Sequence, residues 1–381
     1  MRIVGGKVFA GGSFKQACLR LEGDRIADVA LASEALGSQA LDDDVLDASG
    51  CYVVPGFIDI HFHGCKGADA CDATDEALHT IASHEASCGV TAICPATMTY
   101  PEQRLASIAR IAASFAPSDA EAALVGLNLE GPFISPDKVG AQNPAYVQRA
   151  DAAMLRRLQE QARGLVKLVD IAPEEPGALD FVSEVSDEVR VSLAHTCTDY
   201  DCAREAFDRG ARHLTHLYNA MPGLHHRKPG PIAAAWERSD ATVELICDGI
   251  HVHGAMARLT FGLFGAERIC LISDSMRACG LEDGTYDLGG QDVTVQGRLA
   301  TLESGTIAGS VTNLAACVQH AICEMGIAPE QAIAAATLTP ARAIGIDGQR
   351  GSLDAGKVAD VVVLDKNFCV KHVVLRGKQI R

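Results

Sequence analysis

Residues 53–63 read VVPGFIDIHFH, an apolar β-branched run that stops in two histidines spaced two apart. Residues two apart on a strand share a face, so His61 and His63 can address one point from the end of a buried strand. Seven further runs of this texture follow, at Thr91–Met98, Ala122–Glu130, Val166–Glu174, Val189–Thr196, His213–Asn219, Thr242–His251 and Arg268–Ser275. Stretches such as Glu102–Phe115 and Asp151–Gly164 read as the helices between them. Apolar strands alternating with helices mark parallel βα units. Eight such units, with no dinucleotide glycine spacing after the first strand, predict an α/β fold built on a closed (β/α)8 TIM-like barrel rather than a doubly wound sheet.

Outward from the barrel the texture changes. Residues 1–52 are short β-like runs broken by glycine turns, and residues 351–380, GSLDAGKVADVVVLDKNFCVKHVVLRGKQI, read as three more short strands. The expected organisation is a small β-sandwich domain from residues 1–52 plus 345–381, flanking a barrel over 53–344.

The chain has 381 residues, a formal net charge of −16 and 48% apolar residues. Excess acid argues against nucleic acid or an anionic membrane as partner, because phosphate backbones are held by clustered Lys and Arg. No pair among the 14 Cys stands in a C-x-x-C arrangement, and Cys94, Cys247 and Cys270 fall inside strand-like runs, where a free thiol packs as a small hydrophobe. No stretch of 18 apolar residues occurs, and MRIVGGKVFAGG has no signal-peptide core. A reduced, cytoplasmic protein is expected.

In a barrel of this kind the chemistry sits at the C-terminal ends of the strands. Those ends carry His61 and His63, Glu130, His195, His216, His251 and Asp274. His213 and His216 are three apart and cannot both face the mouth, and His216 lies nearer the strand end. His253 falls past the strand, whereas His79, His84, His320 and His372 read as surface residues. Four histidines, a Glu and an Asp, with no thiolate among them, suit an open divalent-metal site: Zn2+ first, with Fe2+, Co2+ or Mn2+ as alternatives. Such an ion lowers the pKa of bound water towards about 7 and polarises a carbonyl, so hydrolysis of an amide or ester-like bond is the expected chemistry.

The motifs PGFIDIHFHG at 55–64, LEGPF at 129–133, GAQNP at 140–144, LAHT at 193–196, THLYNAM at 215–221, DGIHV at 248–252 and ISDSM at 272–276 together resemble the amidohydrolase superfamily and, within it, the N-acetylglucosamine-6-phosphate deacetylase family. The resemblance implies removal of acetate from an N-acetylated amino-sugar 6-phosphate. It implies Glu130, His195 and His216 as ligands of one ion, and His61 and His63 as a second site bridged by Glu130, hence one or two ions per subunit. It implies Asp274 as general base and then general acid towards the departing amine. Many superfamily hydrolases use a carboxylated Lys at the end of strand four; that end here is Ala172-Pro173-Glu174, and Lys167 lies near the strand's beginning. Where many family members present His in the loop after Glu130, this chain has Gln142, with substrate polarisation or hydroxyl recognition as its implied role.

A 6-phosphate needs a local cationic site in an acidic protein. From Arg209 to Trp236 there is no Asp or Glu, while Arg209, Arg212, Arg227, Lys228 and several histidines crowd the stretch. The resemblance implies Arg227 and His251 as phosphate ligands, helped by backbone N–H groups at Asn219 and Ala220. It also implies a homodimer in which Arg227 reaches the neighbouring active site. Ile307, in GTIAGSVTNL, stands where relatives make an apolar substrate contact; Ser310 or Thr312 as a helix cap is the plainer reading. Asp69 and Asp72 are expected to order a loop or cap a helix. N-acetylgalactosamine 6-phosphate as substrate, a cyclic-amide hydrolase, and a catalytically inactive sugar-phosphate sensor stay open as alternatives.

Overall fold

The computed structural model describes residues 1–31 and 44–381; residues 32–43 of the expected N-terminal strand region lie outside the described residues. The barrel strands are Phe57–Asp59, Val90–Ile93, a third in two pieces (Ala123–Leu124 and Leu127–Phe133), Val166–Ile171, Arg190–Leu193, His213–Leu214, Thr242–Ile246 and Ile269–Ile272. All neighbouring pairs in the ladder are parallel. The first piece of the third strand pairs with the second strand and the longer piece with the fourth. Between the eighth and first strands the ring is closed by the Asp274 N–H donating to the His61 carbonyl at 3.0 Å and the Ser273 hydroxyl donating to Asp59 at 2.6 Å.

The helices stand outside as the sequence implies. Glu102–Ser114 and Ala152–Gln161 bury their apolar faces, and the latter is capped by Asp151, whose side chain accepts from the Met154 N–H. Asp69 and Asp72 form a reciprocal capping box around the short turn Ala70–Asp72, and His253 caps the helix Gly254–Phe264. Asn313, rather than Ser310 or Thr312, caps Leu314–Cys323; the Ser310 hydroxyl instead donates to the Ser273 carbonyl at 2.7 Å.

Several predicted strands are longer than the ladders. Arg190–Leu193, His213–Leu214, Thr242–Ile246 and Ile269–Ile272 all stop before the polar residue that was to end them. At three of them the cause is backbone geometry: His195, His216 and Asp274 have φ of +42°, +28° and +49°, and a chain in the left-handed region cannot continue a β ladder. His251 lies five residues past Ile246, beyond a turn with Gly249 at φ +79°.

The run 53–63 serves two sheets. Tyr52–Pro55 pairs with Val361–Leu364 and Lys7–Ala10 of the terminal unit, whereas Phe57–Asp59 enters the barrel. The terminal unit is a nine-stranded path in which the ten-residue strand Ser13–Glu22 pairs first with Lys7–Ala10 and then with Arg2–Val4 and Arg25–Leu31. Its two leaves close over a core separate from the barrel's, including Ile3, Leu19, Ile26, Val53, Val361 and Val374. A three-stranded antiparallel sheet, Gly284–Leu288, Gln291–Gln296 and Leu299–Thr301, follows the eighth strand, and the Gln291 amide donates to the Ala141 carbonyl at 2.6 Å. That bond ties it to the loop after the third strand.

Candidate active site

His61, His195, His216 and Asp274 share one placement: each lies two residues beyond the last ladder residue of its strand. The left-handed turn at the latter three swings the side chain over the barrel mouth, at a strain of roughly 1 kcal/mol or more apiece. Glu130 instead sits within its strand and reaches the same point. It is followed by Gly131 at φ +92°, where a Cβ would stand 2.2 Å from Thr99 Oγ1, so only glycine fits.

The side chains converge. Glu130 Oε1 lies 3.0 Å from His195 Nε2, 3.2 Å from His216 Nε2 and 3.5 Å from His61 Nε2. Glu130 Oε2 lies 3.3 Å from His63 Nε2, which is also 3.3 Å from Asp274 Oδ1. Two overlapping triads result, Glu130–His195–His216 and His61–His63–Asp274, each with its donor atoms within 4.8 Å of one another.

The surroundings fix which nitrogens face inward. His195 Nδ1 is 3.0 Å from the Lys138 carbonyl, which can only accept, so Nδ1 carries the proton and Nε2 is left to ligate. His61 Nδ1 likewise donates to Glu244 at 2.8 Å. His61 Nε2 is then fully buried with no hydrogen-bond partner, between Glu130 and Asp274. An orphaned imidazole nitrogen facing two carboxylates is the signature of a cation position, and the imidazole and carboxylate donors fit a divalent ion. The described residues hold no carboxylated-Lys equivalent: Lys167 lines a depression with Arg190, Arg212 and Gly345 instead.

Electrostatics agree with ligation. Burial alone would raise the Glu130 carboxyl, but His61 and the bonds from His195 and His216 hold it well below its ordinary value. Burial also opposes ionisation of Asp274, and the hydrogen bond from His63 with the charges of His61 and His63 outweighs it. For His251, burial disfavours the imidazolium, but the Asp248 carboxylate at 2.8 Å from Nδ1 raises the pKa above the ordinary value.

Above the cluster opens a cavity of about 530 Å³, lined by Gln142, Asn219, Ala220, His251 and Ile307 together with the ligand residues. Gln142 is turned to Glu130: its amide donates to Glu130 Oε2 at 2.7 Å while its oxygen accepts the Thr99 N–H at 2.6 Å. The Asn219 N–H donates to the His216 carbonyl at 3.0 Å, and its side-chain amide donates to the His216 and Leu217 carbonyls. Among the described residues, Ala220 therefore offers the free N–H of that pair. Arg227 lies outside the cavity, exposed, with its guanidinium on His226 at 2.7 Å, and lines a separate depression near Tyr200 and Pro229.

Sequence reasoning missed the layer beneath the ligands. Glu244, in the strand Thr242–Ile246, accepts from His61 Nδ1, from the His216 N–H at 3.1 Å and from His213 Nε2 at 3.1 Å. Burial would raise its pKa, but His61 and the bonds from His213 and His61 hold it far below the carboxylate range. Asp170 accepts from Thr215 at 2.8 Å, and Thr215 meets the Ser192 hydroxyl at 2.6 Å. One polar residue inside an otherwise apolar strand was the available signal, since a buried charge needs a partner.

A barrel with this mouth, and the sequence profile of the amidohydrolase family matching residues 52–380, establish the class: the chain belongs to the amidohydrolase family. More narrowly, it is 39% identical over 331 residues to the N-acetylglucosamine-6-phosphate deacetylase of Bacillus subtilis (strain 168), covering 85% of this chain and 83% of that one. It is 38% identical over 326 residues to the N-acetylgalactosamine-6-phosphate deacetylase of Escherichia coli O157:H7, covering 85% and 86%. Among solved structures, the N-acetyl-D-glucosamine-6-phosphate deacetylase of Mycobacterium smegmatis superposes with a TM-score of 0.92 at 32% identity over 100% of both chains. A mutant of that enzyme in complex with N-acetyl-D-glucosamine-6-phosphate gives 0.91 at 31% identity, covering 100% of this chain and 98% of that one.

Proposed function

We propose that this chain is a metal-dependent hydrolase that removes acetate from N-acetyl-D-glucosamine 6-phosphate, giving D-glucosamine 6-phosphate. The carrying observation is the meeting of Glu130 Oε1 with His195 and His216 at 3.0 and 3.2 Å while Asp274 stands 3.3 Å from His63, all in one cavity. The donor set suits Zn2+: Glu130, His195 and His216 would hold one ion, and His61 and His63 together with Glu130 would hold a second. When bound, such ions supply Lewis acidity to the amide carbonyl and bring hydrolytic water within reach of a weak base.

The remaining work falls to the protein's own groups. Asp274, ionised at neutral pH, accepts the proton of the attacking water and returns it to the sugar nitrogen, which leaves as an amine rather than as an amide anion. Gln142 holds Glu130 in place from its second oxygen. His251 and the Ala220 N–H receive the 6-phosphate, and Ile307 packs against the sugar or acetyl group. The cavity lining contains Lys138 but no Arg, against Glu130, Asp137 and Asp274. A dianion there wants a further cation, which supports a homodimer in which Arg227 enters the neighbour's cavity. Fourteen free thiols, and no helix among the described residues long and apolar enough to cross a membrane, support the cytoplasm as the working compartment.

The test is an acetate-release screen over N-acetylglucosamine, N-acetylgalactosamine and their 6-phosphates. Release from the glucosamine 6-phosphate substrate at the highest kcat/KM is expected. No release from any of the four would contradict the reading, and preference for the galactose epimer would correct its substrate.

A further inference from the structure

Outside the cavity, the end of the first βα unit gathers another set of ligand-type side chains. The helix Asp75–Ser87 carries His84 and Glu85 in its last turn, and Cys88 follows at its C-cap. Cys65 comes from the short strand Gly64–Cys65, two residues past His63. One donor atom each from Cys65, His84 and Glu85 lies within 4.8 Å of the other two, and Cys88 Sγ is 3.7 Å from His84 Nε2. His84 and Cys88 are four apart and Glu85 and Cys88 three apart, so one helix face presents all three.

A second observation points to a ligand there. Glu85 is only 1% exposed, and among the described residues its carboxylate oxygens have no hydrogen-bond partner of good geometry, with only the Cys65 thiol in reach. It also lies at the negative end of its helix, where a carboxylate is least welcome. Lys66, the cation facing His84, is committed to the Gly280 carbonyl at 2.7 Å. Burial, and then Asp59, push the Glu85 carboxyl up to about 8. Buried acids are ordinarily paired or bound to a metal.

We propose that Cys65, His84 and Glu85 form a further divalent-metal site, suited to Zn2+, with Cys88 available as fourth ligand. Thiolate, imidazole and carboxylate in a four-coordinate set match a closed structural site, whereas the active-site cluster contains no sulfur. Binding releases the Cys65 and Glu85 protons to solvent, and the Cys88 proton as well where Cys88 completes the set; Cys65 and Glu85 balance the ion's two charges, and a Cys88 thiolate leaves the site with one net negative charge. The ion would clamp the helix end to the chain just beyond His61 and His63, bracing the loop that carries them. The inference is independent of the substrate assignment.

Cobalt substitution tests it. The whole protein is stripped with chelator under reducing conditions and reloaded with Co2+. A thiolate-to-cobalt charge-transfer band in the near ultraviolet is expected; it distinguishes this site from the imidazole and carboxylate ligands of the active site, and the variants distinguish it from the chain's other thiols. His84→Ala with Glu85→Gln should abolish most of the band and remove one ion per chain, with acetate release retained. Cys65→Ser should weaken the band to at most the share that Cys88 supplies. No band in the wild-type protein would overturn the proposal whatever the variants do, as would a band and ion content unchanged in His84→Ala with Glu85→Gln.

Discussion

Glu244→Gln removes one charge without changing shape, at a residue that touches neither ion nor substrate in the proposed scheme. Its carboxylate accepts three bonds, from His61 Nδ1 at 2.8 Å, the His216 N–H at 3.1 Å and His213 Nε2 at 3.1 Å. The glutamine oxygen can keep the first two, leaving its NH2 towards His213. His213 can answer by switching tautomer, because Nδ1 faces the Thr242 hydroxyl at 2.6 Å, which can donate or accept. The loss is then charge assistance rather than an unmade bond. A bond to a charged group contributes about 1.5–3 kcal/mol against about 0.5–1.5 for a neutral one, so three such bonds lose roughly 3 kcal/mol of apoprotein stability. His61 keeps an acceptor but loses the negative charge that makes its Nε2 a strong ligand, for which up to about 10–100-fold in metal affinity is expected. The assays are ion content against a graded chelator series and the denaturant midpoint of the metal-free protein. Unaltered affinity together with an unaltered midpoint would refute the claim that Glu244 sets the tautomer and charge of the cluster.

Asp248→Asn should lower the His251 pKa. A His raised in the folded state is cationic below that raised value and loses the charge as pH climbs through it, so without Asp248 the loss occurs at lower pH. KM for the 6-phosphorylated substrate should begin to rise at a lower pH than in the wild type, with kcat little changed, and an unshifted KM–pH profile would remove His251 from phosphate binding. Arg227→Ala should raise KM for 6-phosphates by about tenfold or more, the worth of a charge-assisted bond of about 1.5–3 kcal/mol, and leave non-phosphorylated sugars unaffected. Gln142→Ala strands the Thr99 N–H and frees Glu130 Oε2, so it should lower metal retention as well as turnover; loss of turnover alone would mark Gln142 as a direct substrate contact.

The barrel was legible because parallel strands buried on both faces read as continuous β-branched runs, and VVPGFIDIHFH shows the pattern together with its exit into the site. Strand ends were less legible. Backbone hydrogen bonding continues one residue past the ladder at Ala194 and Thr215, and the left-handed φ of His195 and His216 ends it there. The convergence of His61, His63, Glu130, His195, His216 and Asp274 could be anticipated from strand-end position plus residue type, since both depend on local order along the chain. Glu244 and Asp170 could not be placed that way, because their roles come from neighbours across the barrel, His61 and Thr215, distant in sequence. The Asn219 N–H was expected to serve the phosphate, but the turn that positions His216 uses it internally. The sheet over 284–301 went unread although its glycine turns and alternation carried the signal.

The central claim is that Asp274, which belongs to one of the two triads by position, moves the proton, while Glu130 and the four histidines suffice to hold the metal. Acetate release from N-acetylglucosamine 6-phosphate by metal-loaded wild-type and Asp274→Asn proteins, with ion content determined on the same samples, tests it directly. The expected result is a fall in kcat of about 10²–10⁴-fold with ion content unchanged. Turnover within a few-fold of wild type at equal ion content would contradict it.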